Sequence, residues 1–277
     1  MALNCFSSQD DLEFRQIVQM NESQLFLTME MILENNYDTV FKSEDYLYAV
    51  GTIPVALVAH MDTVFTDMPT DWSIFHDTEK GVYWSPYGLG ADDRAGVFAI
   101  IKILQQGYRP SVILTLGEEK GGLGAQHFVQ DYPMPVEKKL NFLIELDRRG
   151  YNDCVFYQCD NDEFEDFITQ FGFDFDTGSF SDISFICPVW KIAGVNLSVG
   201  YYNEHSEIEF LLETTLMRTI FLTEKILEAA DLLDKPFEYI EAIVYDKEFF
   251  EKFLAYPEDD EEDEDFAGEF RFDPRAI

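Results

Sequence analysis

The sequence predicts an α/β fold, a three-layer α/β/α sandwich with a mixed, mostly parallel central sheet. Two observations carry this. Short runs of branched and aromatic residues alternate with stretches of helical periodicity. The runs are also apolar throughout, where a half-exposed strand would be apolar only at every second residue. A parallel sheet covered by its own crossover helices buries both faces and reads this way. With 277 residues, 47% of them hydrophobic and 16% aromatic, the chain can build a sizeable core.

In chain order, "DDLEFRQIVQM" and "NESQLFLTMEMILENN" carry helical periodicity, with Asn21 placed to cap the second. "DYLYAV", "PVALVAH" and "GVYWSP" read as strands. "RAGVFAIIKILQQG" reads as a helix closed by Gly107. "SVILTLGEE" is a buried strand with polar residues at its end, and "GGLGAQHFVQDY" a helix entered through glycines. "NFLIELD" is a second buried strand ending in an acid, with "CVFYQC" expected to pair beside it. "NDEFEDFITQFG" is helical, "ISFI" and "VNLSVG" are expected strands, and "SEIEFLLETTLMRTIFLTEKILEAADLL" a long amphipathic helix.

The formal net charge is −35, from 19 Lys+Arg against 54 Asp+Glu. Phosphate binding needs clustered cations, so this balance argues against nucleic-acid or anionic-membrane partners. It suits acidic sites that hold cations. Cys5, Cys154, Cys159 and Cys187 are too few for a disulfide framework in a chain of this length. Cys154 and Cys159 read first as strand residues and second as metal ligands. No apolar run approaches a membrane span, and "MALNCFSSQDDLEF" lacks the pattern of a signal peptide, so a cytoplasmic protein is expected.

Acids and histidines recur at the ends of the buried strands. "VALVAHMD" ends in His60 and Asp62, "GLGADDRAG" carries Asp92 and Asp93, and "TLGEE" ends in Glu118 and Glu119. "IELD" ends in Asp147, and "GYYNEHSE" carries His205. In open α/β sheets the carboxyl ends of strands form the ligand-binding rim, so these side chains are expected to converge. Crowded carboxylates repel one another unless protons or cations neutralise them. Histidine with carboxylate suits zinc, with manganese or cobalt as substitutes. In a His-x-Asp pair the acid can orient the imidazole through its second nitrogen. In a Glu-Glu pair one carboxylate can bind metal while the other accepts a proton from water.

The ordered set "AHMDTV", "GLGADDRAGVFAI", "TLGEEKGGLGA", "IELD" and "GYYNEHSEIEF" resembles the co-catalytic zinc aminopeptidase and carboxypeptidase-like superfamily, from about residue 45 to about residue 230. The resemblance implies roles for individual residues. His60 and Asp147 would complete one zinc site, Glu119 and His205 the other, and Asp92 would bridge them. Asp62 would stand behind His60, Glu118 would be the general base, and the peptide joining Asp92 to Asp93 would be cis. Many members insert a lid or dimerisation domain before the last histidine. Here 57 residues lie between Asp147 and His205, too few for it, so the chain looks like the lidless, single-domain aminopeptidase branch.

Other polar residues are weighed against plainer roles. Arg148 and Arg149 either meet a substrate carboxylate or pair with surface acids. Ser181 and Asp182 sit where related enzymes carry substrate-side residues. Tyr201 and Tyr202 pack, or one hydroxyl stabilises an oxyanion. His76 and His127 read as structural. The expected activity is a two-metal aminopeptidase on short peptides. The alternatives are a deacylase or amidase acting on an N-acyl amino acid, and a catalytically silent binding protein; the complete ligand set with Glu118 intact argues against the last.

A single catalytic domain is expected over 1–256, followed by an acidic tail over 257–277. Glu258 to Asp265 are eight consecutive acids, a block that cannot belong to a core. Truncation after Tyr256 should therefore leave melting temperature and metal content unchanged. A loss of either on comparison with the full chain would move the domain boundary into the tail.

Overall fold

Two capped helices open the described chain, α1 (Ser8–Gln19) and α2 (Glu22–Asn36). Asn21 closes a capping box on α2: its Oδ1 accepts from Gln24 N–H at 2.9 Å, and its own N–H donates to Gln24 Oε1 at 3.0 Å. Strands β1 (Val40–Lys42), β2 (Tyr46–Ala49) and β3 (Ile53–His60) follow, then β4 (Phe75–Asp77), β5 (Val82–Trp84), helix α3 (Ala91–Gln105) and β6 (Pro110–Thr115). A 3-10 turn (Glu118–Lys120) leads into α4 (Leu123–Asp131). The rest is β7 (Phe142–Arg148), β8 (Asp153–Val155), α5 (Asp162–Thr169), β9 (Asp174–Phe175), α6 (Ile183–Trp190), β10 (Gly194–Ser198), β11 (Tyr201–Tyr202), β12 (Phe210–Leu212) and α7 (Glu213–Ala230). This computed structural model describes residues 6–66, 72–137 and 139–242. The expected boundary at 256 and the acidic tail lie outside the described residues.

The central sheet has eight strands in the order β1-β2-β6-β3-β7-β10-β8-β9. Its middle, β6-β3-β7-β10, is parallel, while β2 and β8 join it antiparallel. The mixed, mostly parallel sheet read from the sequence is the one observed. Alternate residues of β3 feed two cores. Val55, Leu57 and Ala59 join the core formed with α1, α2, α3 and α7, and Ala56 and Val58 join the one formed with α4 and α6. Gly96 lets α3 press onto β7, since a Cβ there would stand 2.1 Å from Leu146 O. A second, antiparallel sheet, β11-β12-β5-β4, lies outside the main one. No helix among the described residues is long and apolar enough to cross a membrane.

The register fixes the functional rim. His60 pairs with Thr115 across β3 and β6, Val58 pairs with Glu145 across β3 and β7, and Ser198 pairs with Arg148 across β10 and β7. Parallel strands bring their carboxyl ends together, so the residues after Thr115, His60 itself and Asp147 end at one edge.

Three expectations are corrected. "ISFI" lies in α6, not in a strand: Ile183, Ile186, Cys187 and Trp190 are its buried residues, at helical spacing. "CVFYQC" contributes β8, which pairs with β10 because β10 takes the place beside β7. The last long helix begins at Glu213, and Phe210–Leu212 first form β12 against β5. Cys154, Cys159 and Cys187 are buried free thiols.

Candidate metal centre

His60 ends β3 with its ring almost fully buried. Its Nδ1 faces Asp62, 3.2 Å from the carbonyl oxygen and 3.3 Å from Oδ1. Its Nε2 points to acids from the start of α3, from β7 and from the 3-10 turn, 3.2 Å from Asp92 Oδ1, 3.5 Å from Asp147 Oδ1 and 3.9 Å from Glu118 Oε2. The second imidazole stands on the other side of Asp92. His205 Nε2 is 3.1 Å from Asp92 Oδ2 and 2.9 Å from Glu119 Oε2. Each oxygen of Asp92 thus serves a different histidine. The peptide from Asp92 to Asp93 is cis.

The seven residues singled out in the sequence are thereby brought together, and Asp62 has a second role. It accepts the backbone N–H of Glu118 at 3.2 Å and of Glu119 at 3.3 Å, so one buried carboxylate holds both His60 and the glutamate turn. Asp147 is held from two sides, by the Tyr201 hydroxyl on Oδ1 and the Ser181 hydroxyl on Oδ2, each at 3.0 Å. Its main chain is clasped by the Asn196 amide. Tyr201 and Ser181 therefore support Asp147, and Tyr201 also lines the cavity at the centre.

Asp182 is fully buried and takes a hydrogen bond from the Thr115 hydroxyl. Its N–H donates to Glu145 at 3.1 Å. Tyr202 stacks on Phe210. Arg148 pairs with Asp176 and Arg149 with Glu204, both at the rim of the site. His76 pairs with Glu213 and His127 with Asp45, away from the centre.

One supporting residue escapes a sequence reading. Glu209 Oε2 accepts the N–H groups of Leu89 at 3.1 Å and Gly90 at 2.6 Å, and Oε1 accepts those of Ala91 at 2.9 Å and Asp92 at 3.0 Å. Gly90 caps α3 and brings no side chain to do so. Glu209 supplies the acceptor from far along the chain and fixes the loop that carries Asp92. In "SEIEF" the alternation suggests that Ile208 is buried and Glu209 exposed. The reverse holds, with Ile208 72% exposed and Glu209 fully buried, because four buried N–H groups need an acceptor.

The electrostatics match a cation site. Burial, with Asp147 and Asp182 nearby, pushes Glu118 up to about 9. Burial and Asp92 push Glu119 up to about 7. Asp92 pays the cost of burial yet is held well below the usual carboxylate range by His205 and His60. Against its own burial, His60 is held well above its usual value by Asp147, Asp62 and Asp92. Glu119 Oε1 is buried with no hydrogen-bond partner among the described residues. His60, Asp92 and Glu119 offer ligand atoms within 4.8 Å of one another. An unpaired buried carboxylate oxygen among converging acids fits divalent metal. The centre opens into a cavity of about 280 Å3, lined in part by Asp92, Glu118, Glu119, Asp147 and His205.

The family model of peptidase family M28 matches residues 40–177. No curated protein sequence matches the chain. Among solved structures, aminopeptidase PepT from Bacillus cereus superposes with a TM-score of 0.65 at 14% identity, covering 82% of this chain and 99% of that one. A tripeptidase from Staphylococcus aureus gives 0.64 at 15% identity, covering 83% and 100%. The TET1 peptidase of Pyrococcus horikoshii, described as assembling into a tetrahedron or a large octahedral shell, gives 0.59 at 14%, covering 79% and 99%.

Two outcomes are expected of this geometry. Glu209→Ala should weaken metal binding roughly 10- to 100-fold, the usual effect of losing an outer partner of a ligand, measured by competition with a chromophoric chelator. Unchanged affinity would make Glu209 irrelevant to Asp92. The second concerns pH. Glu118 (about 9), Glu119, Asp182 and Glu209 (each about 7) all lie above their usual values. The folded metal-free protein therefore holds more protons than the unfolded chain, and stability falls as pH rises from about 4.5 to about 9. His205, raised to about 9 by Asp92, acts in the same direction above its ordinary value of 6.5. Chelator-stripped protein should melt at lower temperature at pH 8.5 than at pH 5.5, and zinc should flatten the dependence. A stripped protein whose melting temperature rises over this range would contradict the assignment.

Proposed function

We propose that this chain, a member of the co-catalytic metallopeptidase superfamily, is a two-metal aminopeptidase acting on short peptides. The observation that carries the reading is the division of Asp92 between two imidazoles, Oδ1 toward His60 and Oδ2 toward His205. His60 and Asp147 would hold one cation, Glu119 and His205 the other, with Asp92 between. Bound divalent metal, zinc first and manganese or cobalt as alternatives, supplies Lewis acidity to the scissile carbonyl and acidifies the attacking water. Glu118 takes the proton of that water and passes it to the leaving amine. Burial raises its proton affinity, and neighbouring positive charge lowers it toward the working range.

The cavity also suggests what is cleaved. Glu204, beside His205 on the rim, is paired with Arg149, and an α-ammonium group would meet it by displacing that arginine. A side pocket of about 130 Å3 shares Tyr157, Ser179 and Phe180 with the main cavity and is walled by Phe156, Ile183 and Phe185. It suits an apolar first side chain. Arg148 and Arg149 are already paired with acids, which weakens the N-acyl amino acid deacylase reading.

Metal-reconstituted protein should bind about two ions per chain and release the first residue of leucyl-glycyl-glycine, with the N-acetylated peptide left intact; the reverse preference would favour the deacylase. Glu118→Gln should keep the metal and lose turnover by roughly 10²–10⁴-fold, as expected for removal of a general base. Elemental analysis beside the rate separates the two effects, and turnover within a few-fold of wild type would remove Glu118 from the role.

A further inference from the structure

The small antiparallel sheet, β11-β12-β5-β4, departs from the pattern of a sheet with one face in water. Such a sheet alternates apolar residues inward with polar residues outward. Directly paired residues point to the same face, so the register sorts the sheet into rows. Tyr201, Leu211, Tyr83 and His76 form the inward row, and the first three are buried in the core. The outward row is Tyr202, Phe210, Trp84 and Phe75. Aromatic rings thus cross all four strands on the side away from the core. Phe75 stacks on Trp84 at 4.7 Å and Tyr202 on Phe210 at 5.1 Å, which fixes the row in place. The next outward row is Leu212, Val82 and Asp77, and Asp77 pairs with Lys80. In a chain with 54 acids and 19 bases, a sheet face whose single acid is already paired does not have the composition of a solvated surface.

A groove of about 440 Å3 runs beside the rings, walled by Val82, Trp84, Pro86, Phe210 and Ile208. Ile208 is 72% exposed, on the loop that carries His205 and Glu209. One face therefore offers both an apolar knob and an apolar groove. A two-fold contact needs this, because the same patch serves both partners and must be complementary to itself.

We infer that this face packs on the same face of a second copy of the chain about a two-fold axis, with Ile208 of each copy seated in the groove of the other. The area fits. At about 200 Å2 per large side chain, Phe75 (46% exposed), Trp84 (42%) and Ile208 (72%) offer roughly 300 Å2. The half-buried Tyr202, Phe210, Val82 and Leu212 raise this to roughly 450 Å2. A standard interface takes about 800 Å2 from each partner, of which about 60% is apolar, so the patch supplies the apolar part of one such contact. The charge fits as well. A basic partner would be met by free acids, which this face lacks, with Glu207 only at the rim of the groove. Two copies of a chain with net charge −35 repel each other and can meet only where charge is sparse.

The test is the mass of the full-length chain by sedimentation equilibrium. Interfaces of this size bind in the micromolar range or tighter, so the chain should be dimeric at about 100 µM in about 0.1 M salt. At about 0.01 M salt the screening length grows from about 10 Å to about 30 Å, and the dimer should weaken. Ile208→Glu and Trp84→Ala should each raise the dimer Kd by about 30-fold or more, the scale of a residue at the centre of an interface. Ile208→Leu should keep the dimer. Ile208 is exposed in the single chain, so its replacement leaves the fold intact, checked by circular dichroism. Leu27→Glu adds the same charge on α2, away from the sheet, and should leave Kd unchanged. A dimer that Ile208→Glu and Trp84→Ala leave intact, or that Leu27→Glu weakens equally, would overturn the inference. A monomer at every concentration and salt would also overturn it and leave the face to a different protein.

Discussion

Carboxylates repel one another, and this fold buries a group of them at one sheet edge with two imidazoles between. Asp62, Asp92, Asp93, Glu145, Asp182 and Glu209 are all buried, and Glu118, Glu119 and Asp147 complete the ring. Several answer the repulsion by taking up protons more readily: burial pushes Asp182 up to about 7, and burial with Asp147 nearby pushes Glu145 well above its usual range. Others are held ionised by histidine or backbone N–H groups. A metal-free rim of this kind works against its own folding, and divalent cations relieve it. Metal affinity is here the counterpart of tolerated electrostatic strain, because the neutralising charge is drawn from solution and not from Lys or Arg.

The two halves of the centre are built differently. The His60 ring is 1% exposed and sits on a central strand with its second nitrogen held by Asp62. The His205 ring is 51% exposed, on the loop after β11, with φ 60. The contrast lies in the imidazoles alone, since the side chains of Asp147 and Glu119 are 7% and 8% exposed and both line the cavity. Glu209 ties the two halves together: it lies four residues after His205 and grips the loop of Asp92.

The sequence made the main sheet and the ligand motifs legible for one physical reason. Parallel strands buried on both faces stand out as apolar runs, and their carboxyl ends share a rim, so an acid or histidine at the end of each run has a predictable neighbourhood. What was not legible lies where that logic stops. The four apolar letters of "ISFI" have no period of their own, and only the spacing through Trp190 marks them as helical. Glu209 looks like the polar face of a short strand until the unsatisfied N–H groups it serves, more than a hundred residues away in sequence, are in place. Ser181, Tyr201 and Asn196 clasp Asp147 from three separate elements, and no local pattern links them. Arg148 and Arg149 are open between substrate and surface acids in the sequence; they pair with Asp176 and Glu204 and also line the cavity.

The net charge of −35 bears on how ligands arrive. A strongly negative surface raises the local concentration of divalent cations and of peptide ammonium ends, and opposes carboxylates. The field is screened within about 8 Å at physiological ionic strength, so it acts on ligands near the surface and not on those already bound. A short peptide carries both signs. Its ammonium end is drawn by the acidic surface, while its carboxylate end is repelled there and drawn only to cations. Once divalent cations neutralise the acids of the centre, the surface field acts on a peptide's approach, and its direction is left to the groups at the rim.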